Sequence, residues 1–183
     1  MIKRGSIFIG AQKDDFLSGA IRKVSSSNWS HCAIITDSTD FESYVFGARG
    51  RGVDLCTLTE YDSIDKYYYR IYEIDMPEFA IDKVLRETVD TFLEKPYGYF
   101  QLAVGFPIWF ALKDWLGITL PFNPVSFWTV CSELDAVYMK ALLTDRFPEL
   151  KLWNKDLITP ENIFQFVEKH PEIFKRVKEK KAL

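Results

Sequence analysis

The sequence predicts one α+β domain in which a small antiparallel sheet packs between helices. Three observations lead there. Short runs rich in β-branched and aromatic residues alternate with turn residues between Ile7 and Ile74, and the pair from His31 to Phe46 reads as a hairpin. Two later stretches, one from Glu78 to Leu93 and one after Cys131, repeat apolar residues at the three- and four-residue spacing of a helix with one buried face. The 183 residues, 48% hydrophobic and 27% charged, suffice for one substantial core. No repeat, low-complexity tract or composition break divides the chain, so residues 1–183 read as a single domain.

The elements follow in order. Ile7-Phe8-Ile9 is a short strand. Asp14 to Val24 reads as a short helix with acidic residues at its start, where the helix dipole favours them. A polar loop, Ser25 to Asn28, leads to a strand opening at His31. Asp37-Ser38-Thr39-Asp40 is a turn, and Phe41 to Phe46 returns as the second strand of a hairpin. Gly47, Gly50 and Gly52 loosen the chain before a strand at Val53 to Cys56. Tyr67 to Ile74 is another strand. In the helix from Glu78 to Leu93, Ile81, Val84, Leu85, Val89, Phe92 and Leu93 form the apolar side. Thr159-Pro160-Glu161 reads as an N-cap followed by proline at the first helical position. The basic cluster Lys175 to Lys181 reads as a solvated helix face or a frayed, charged C-terminal tail.

Composition excludes several classes of function. A net charge of −3 and a pI near 5.5 give no electrostatic footprint for nucleic acid. Three cysteines at irregular spacing do not make a disulfide scaffold, and Cys32 and Cys56 read as small hydrophobes inside strands. With no paired short spacing among Cys32, Cys56, Cys131 and His31, neither a metal site nor any cofactor is expected. The first residues carry no apolar run of signal-peptide length. The longest apolar stretch, Leu102 to Leu112, is broken by Pro107 and falls short of the ~20 residues that span a bilayer. Cytoplasmic synthesis is the expectation, without signal peptide or transmembrane helix. The oligomeric state is not legible in the sequence.

The aromatic content, 16%, is concentrated in an insertion at about residues 100–130. Trp109, Phe110, Trp115, Phe122, Phe127 and Trp128 lie there among three prolines. So much aromatic mass in an irregular segment predicts a groove lining or a surface for peripheral membrane contact or an acyl chain, through residues 100–128.

Chemistry points to two residues. Cys131, in Thr129-Val130-Cys131-Ser132-Glu133-Leu134, stands where an extended stretch becomes helical. Unpaired N–H groups and the helix dipole there favour a thiolate. His31, one of two histidines, opens a strand in Trp29-Ser30-His31-Cys32-Ala33-Ile34-Ile35. A thiol attacking a carbonyl needs a base that takes its proton and later delivers it to the leaving group, and imidazole suits this near neutral pH. Backbone N–H groups near Cys131 would supply an oxyanion hole. Glu133 reads as a complement to the helix start, and His170 as an exposed residue at a helix-to-loop junction.

Trp-Ser-His-x-Ala-Ile-Ile followed by Cys-Ser-Glu-Leu resembles the circularly permuted branch of the papain-like NlpC-type amidases. That branch includes the lecithin:retinol acyltransferase-like proteins and bacterial and phage cysteine hydrolases. In it the histidine precedes the cysteine, as here. Gly5-Ser6-Ile7-Phe8-Ile9, Gly52-Val53-Asp54-Leu55, Lys95-Pro96-Tyr97-Gly98-Tyr99 and Thr159-Pro160-Glu161-Asn162-Ile163-Phe164 follow in the same order, covering about residues 5–167. The resemblance implies a permuted papain-like fold and a hydrolase of amide or peptide bonds. Cys131 would be the nucleophile, His31 the general base and acid, and a thioester acyl-enzyme the intermediate. Cell-wall peptides are the implied substrate, delivered to the envelope if the protein is phage-encoded. Trp29, Tyr97 and Trp128 are the implied substrate-binding residues. A lipid-directed thiol acyltransferase or esterase, and a non-catalytic binding module with an unreactive Cys131, are the alternatives.

The family's third residue orients the imidazole and is often glutamate. Phe41-Glu42-Ser43 resembles its signature and makes Glu42 the candidate, with Ser43 and Tyr44 as fallbacks. A hairpin tip at Ser38 and Thr39 objects, because it leaves Glu42 about 13 Å from His31 along the strand at ~3.3 Å per residue. Alignment on Tyr44-Val45-Phe46 instead puts Gly47 at the glutamate position.

Overall fold

Strand pairing organises the chain around one sheet. The computed structural model describes residues 1–24, 27–49, 52–95, 131–155 and 158–181. In chain order these form β1 (Ile7–Gln12), α1 (Phe16–Val24), β2 (His31–Ser38), β3 (Ser43–Arg49), β4 (Gly52–Thr57), α2 (Leu58–Ser63), β5 (Tyr67–Ile74), α3 (Glu78–Phe92), α4 (Cys131–Leu143), a 3₁₀ turn (Pro148–Leu152), α5 (Pro160–Lys169) and β6 (Phe174–Lys180). The six strands make one sheet in the order β4-β3-β2-β1-β5-β6, every neighbouring pair antiparallel. The α+β expectation is met.

Alternation along the strands gives each face of the sheet its own core. Ile7 and Ile9 of β1, Cys32 and Ile34 of β2, and Phe46 and Ala48 of β3 pack against Leu85 of α3, Leu134 and Tyr138 of α4, and Ile163 of α5. The residues between them, Phe8, Ala33, Ile35 and Val45, point the other way. They pack with Tyr67, Tyr69 and Ile71 of β5, Cys56 of β4, and Leu58 and Tyr61 of α2.

The β2–β3 hairpin differs from its sequence reading. Thr39 N–H donates to the Glu42 carbonyl, so Phe41 and Glu42 belong to the turn and β3 begins at Ser43. A register shift between Ile35 and Asp37 takes up the extra residue, and Ile34 stands opposite Phe46.

Two elements escape the sequence reading altogether. Helix α2 is only six residues long, too short for a periodic signal, yet its start is well made. The Thr57 side chain accepts from Glu60 N–H and the Glu60 carboxylate accepts from Thr57 N–H, a reciprocal capping box. Strand β6 replaces the expected helix face or frayed tail. It pairs with β5 at the sheet edge, where its cations find partners. Arg70 holds Glu179 at 2.8 Å. Lys180 Nζ donates to the carbonyls of Tyr61, Asp62 and Ile64 at 3.2, 2.8 and 3.4 Å, closing the C-terminal end of α2. A lysine-rich edge also discourages pairing with another chain.

At α5 the expected start is found: Thr159 caps, Asn162 completes the box and Pro160 occupies the first turn. No helix among the described residues is long and apolar enough to cross a membrane.

Candidate active site

Cys131 is the first residue of α4 and is buried where that helix meets β2. Its Sγ lies 3.9 Å from the Ser30 carbonyl. Burial pushes the thiol up to about 11, and the buried Asp135 adds to the rise. The backbone N–H groups of Cys32, Ser132 and Cys131 itself pull the other way, because they stabilise a thiolate at the helix start. The rest of the first turn is occupied structurally. Ser132 Oγ donates to the Ile158 carbonyl at 2.6 Å, and Glu133 pairs with Lys155 at 2.5 Å.

His31 is the first residue of β2. Its ring enters the second core, with Phe8 at 6.1 Å and Tyr61 at 5.8 Å between centroids. Nε2 is 2.8 Å from Tyr61 Oη. Burial, helped by the Arg49 guanidinium, holds the imidazole down at about 4, so it is neutral at physiological pH. Room for the ring comes from Gly47: a Cβ there would stand 3.5 Å from Nε2 and 2.9 Å from Ala33 Cβ. The strand position facing the imidazole is therefore the one the shifted alignment named, and it carries no side chain. Tyr61 supplies the contact instead.

Cysteine and histidine thus flank one short stretch of backbone from opposite faces. The sulfur rests against Ser30 and Cys32, the two neighbours of His31, while the imidazole leaves toward α2. Thiol and imidazole are not hydrogen-bonded to each other in the free protein.

Glu42 is placed elsewhere. Its carboxylate accepts from Ser43 N–H at 2.9 Å and from Thr59 N–H at 3.3 Å, serving the start of α2. The Thr59 side chain foremost, and then the Ser43 and Thr59 N–H groups, keep it below the usual glutamate range. The register that sets Ile34 opposite Phe46 brings His31 level with Arg49. Glu42 lies roughly 20 Å further along, at ~3.3 Å per residue. Of the fallbacks, Ser43 Oγ is bonded to Ser38 Oγ at 2.9 Å, and Tyr44 pairs with Asp37 near the turn. Neither reaches His31.

Trp29 is buried between Tyr68 and Phe164, with centroids at 5.5 and 5.0 Å and the Arg70 guanidinium 5.4 Å over its ring. It braces the loop before His31 rather than lining an open wall. Tyr97, Trp128 and the aromatic insertion lie outside the described residues. His170 is not simply exposed: Phe147 and Phe166 sandwich it at 4.3 and 4.6 Å, and Glu172 Oε1 lies 3.0 Å from Nδ1.

Three polar groups near the site escaped the sequence reading. Tyr61 is one. Asp135, one helical turn below Cys131, is fully buried, and neither carboxylate oxygen has a hydrogen-bond partner among the described residues. Burial holds its carboxyl well above the usual range. The Tyr67 hydroxyl is likewise buried with no hydrogen-bond partner among the described residues, in space left by Gly10, whose Cβ would stand 2.8 Å from it. Asp135 had a legible signal, a charged residue on an otherwise apolar helix face. Tyr61 had none, since only tertiary packing brings α2 over His31. Among the described residues no group of three or more His, Cys, Asp or Glu side chains could hold a metal ion.

No protein-family model matches the chain, and no curated protein matches it. Among solved structures, the chain is similar to the crystal structure of metalloprotein yiiX from Escherichia coli O157:H7, a DUF1105 protein. Identity is 17%, the TM-score is 0.52, and the match covers 98% of each chain. The two share a fold over their whole length. Identity at that level carries no function.

Proposed function

We propose that this chain is a cysteine-dependent hydrolase of amide or peptide bonds, built on the circularly permuted papain-like, NlpC-type fold. One observation carries the reading: the Cys131 sulfur, at the start of α4, is seated against the backbone on both sides of His31 with N–H groups directed at it. The order of histidine strand and cysteine helix along the chain supports it.

The protonation states define the step. A thiol near 11 and an imidazole near 4 rest as a neutral pair, not as thiolate and imidazolium. His31 therefore acts as a general base during attack. The Cys131 proton passes to the imidazole as the S–C bond forms, and the carbonyl electron pair moves onto oxygen, toward the N–H groups at the helix start. Collapse breaks the C–N bond, the amine leaves with the proton from His31, and water resolves the thioester. Proton transfer requires the His31 ring to turn from Tyr61 toward the Cys131 sulfur in the substrate complex. A cell-wall peptide is the substrate class the resemblance favours. The lipid-directed alternative depends on residues 100–128, and no described residue favours it.

The test is acylation by p-nitrophenyl acetate, followed by p-nitrophenolate release and by mass spectrometry of Cys131. A burst with acetyl on Cys131 is expected. It should be lost in Cys131→Ala and slowed at least ~100-fold in His31→Gln. Acylation unaffected by His31→Gln would remove the base, and an inert Cys131 would make the domain a binding module.

A further inference from the structure

Both reacting groups are engaged with other partners in the free protein. The Cys131 S–H donates to the Ser30 carbonyl at 3.9 Å. The His31 ring leaves the strand toward α2, with Nε2 at 2.8 Å from Tyr61 Oη. Either of these two atoms can be the donor, and in both cases the bond holds the ring against α2. The seat fits the imidazole. Phe8 and Tyr61 frame it, and Gly47 leaves it room, since a Cβ there would stand 3.5 Å from Nε2 and 3.6 Å from Cε1.

Tyr61 is itself held from several sides. Its ring packs on Phe8 and Tyr67, with centroids at 4.7 and 5.2 Å. Helix α2 starts on the capping box at Thr57 and on Glu42, which accepts from Thr59 N–H. Lys180, from β6, donates to the Tyr61 carbonyl at 3.2 Å. We infer that Tyr61 is a latch on the base: it keeps His31 turned away from Cys131 until the ring lets go of the hydroxyl.

Release is opposed from two directions. Turning the ring toward the sulfur breaks its bond to Tyr61 and leaves that hydroxyl in an apolar core, where a polar group without a partner is penalised. The Cys131 S–H must also pass from the Ser30 carbonyl to the imidazole. Only molecules with the ring turned in can transfer the proton, so the observed rate scales with their fraction. Tyr61→Phe reverses the balance. Phenylalanine keeps the ring contacts, the imidazole loses its partner on the α2 side, and the turned-in form gains. Tyr61 thus acts through His31 and is a positioning residue whose presence slows the reaction. The effect on rate rests on the hydrolase reading. The seat of the ring is a property of the free protein and stands without it.

Burst acylation of the full chain by p-nitrophenyl acetate tests the rate, and ¹H NMR tests the seat. Near neutral pH, Tyr61→Phe should acylate Cys131 about 10-fold faster than wild type. In the His31→Gln background the same substitution should give no gain, because the latch acts on the imidazole alone. A rate unchanged or lower in Tyr61→Phe overturns the inference, as does a gain that persists without His31. In the NMR experiment, wild type should show nuclear Overhauser contacts between His31 Hε1 and the Gly47 Hα protons. Tyr61→Phe should weaken them and add contacts to the Cys131 Hβ protons. Unchanged contacts in Tyr61→Phe overturn the latch. A ring that moves in this way beside a Cys131 that cannot be acylated would instead sink the hydrolase reading and leave the latch standing.

Discussion

The two faces of strand β2 treat their polar groups in opposite ways. On the α4 face, Cys131 and Asp135 sit in an apolar core, and the carboxyl of Asp135 has no hydrogen-bond partner among the described residues. On the α2 face, the His31 ring meets the Tyr61 hydroxyl, the Cys56 thiol donates to the Val45 carbonyl, and the Arg49 guanidinium is fixed on Asp54. One face stores groups that burial keeps protonated. The other holds an imidazole that burial keeps deprotonated. Desolvation acts alike on both, since it penalises whichever form is charged, and the difference lies only in which form that is.

The contrast is broken or sharpened first by alkylation of Cys131. With the thiol near 11, iodoacetamide labelling read by mass spectrometry at Cys131 should climb about tenfold per pH unit from neutrality toward that value. A rate already level near neutral pH would mean that the helix start outweighs burial, and the contrast would fail.

Next come two opposite slopes of stability against pH. His31 has its folded value lowered from 6.5 to about 4, so the unfolded chain binds more protons between those values. Its contribution is complete above 6.5 and is lost as pH falls toward 4, on the order of 3 kcal/mol in all. Chemical denaturation of His31→Gln should show this slope removed. Asp135 runs the other way. Its folded value is raised, so the native state holds a proton that the unfolded chain has released. Stability is full below the ordinary carboxylate value of 3.8 and falls as pH rises toward the folded value. Asp135→Asn should flatten that fall and gain about 1–3 kcal/mol at neutral pH. An unchanged slope would show that the carboxyl is paired after all.

Gly47→Ala is a smaller perturbation. The added methyl meets Ala33 Cβ at 2.9 Å and crowds the imidazole, so a loss of about 1–2 kcal/mol is expected in thermal unfolding. No loss would mean that the space beside His31 is not tight. Smallest is Tyr67→Phe, which removes a buried hydroxyl with no partner among the described residues and should leave stability unchanged or raise it by up to about 1 kcal/mol. A clear loss would reveal an acceptor for that hydroxyl.

Much of the fold was legible because periodicity writes burial into sequence. The positions of β1, β2, β4, β5, α3 and the capped start of α5 followed from alternation, helical spacing and Thr159-Pro160. So did a helix opening at Cys131. The hairpin turn was displaced because one extra residue between Ile35 and Asp37 leaves no sequence mark. Helix α2 was too short to show a period, and β6 was hidden by charges whose partners, Asp62, Arg70 and the end of α2, lie about a hundred residues away. Glu42 was a reasonable choice by local resemblance, and the register of β3 carries it to the far end of the strand.

The sequence by itself determined which residues form strands and helices, that Cys131 begins a helix and that His31 begins a strand. Backbone geometry and side-chain spacing are local, and local order reads directly from the chain. Only the tertiary structure decided which face each of the two would take and what would hold the imidazole. Facing depends on register, and Tyr61 reaches His31 across thirty residues through a helix fixed in turn by Lys180 from the last strand. Contacts of that range depend on how separate elements pack, and no local pattern encodes them.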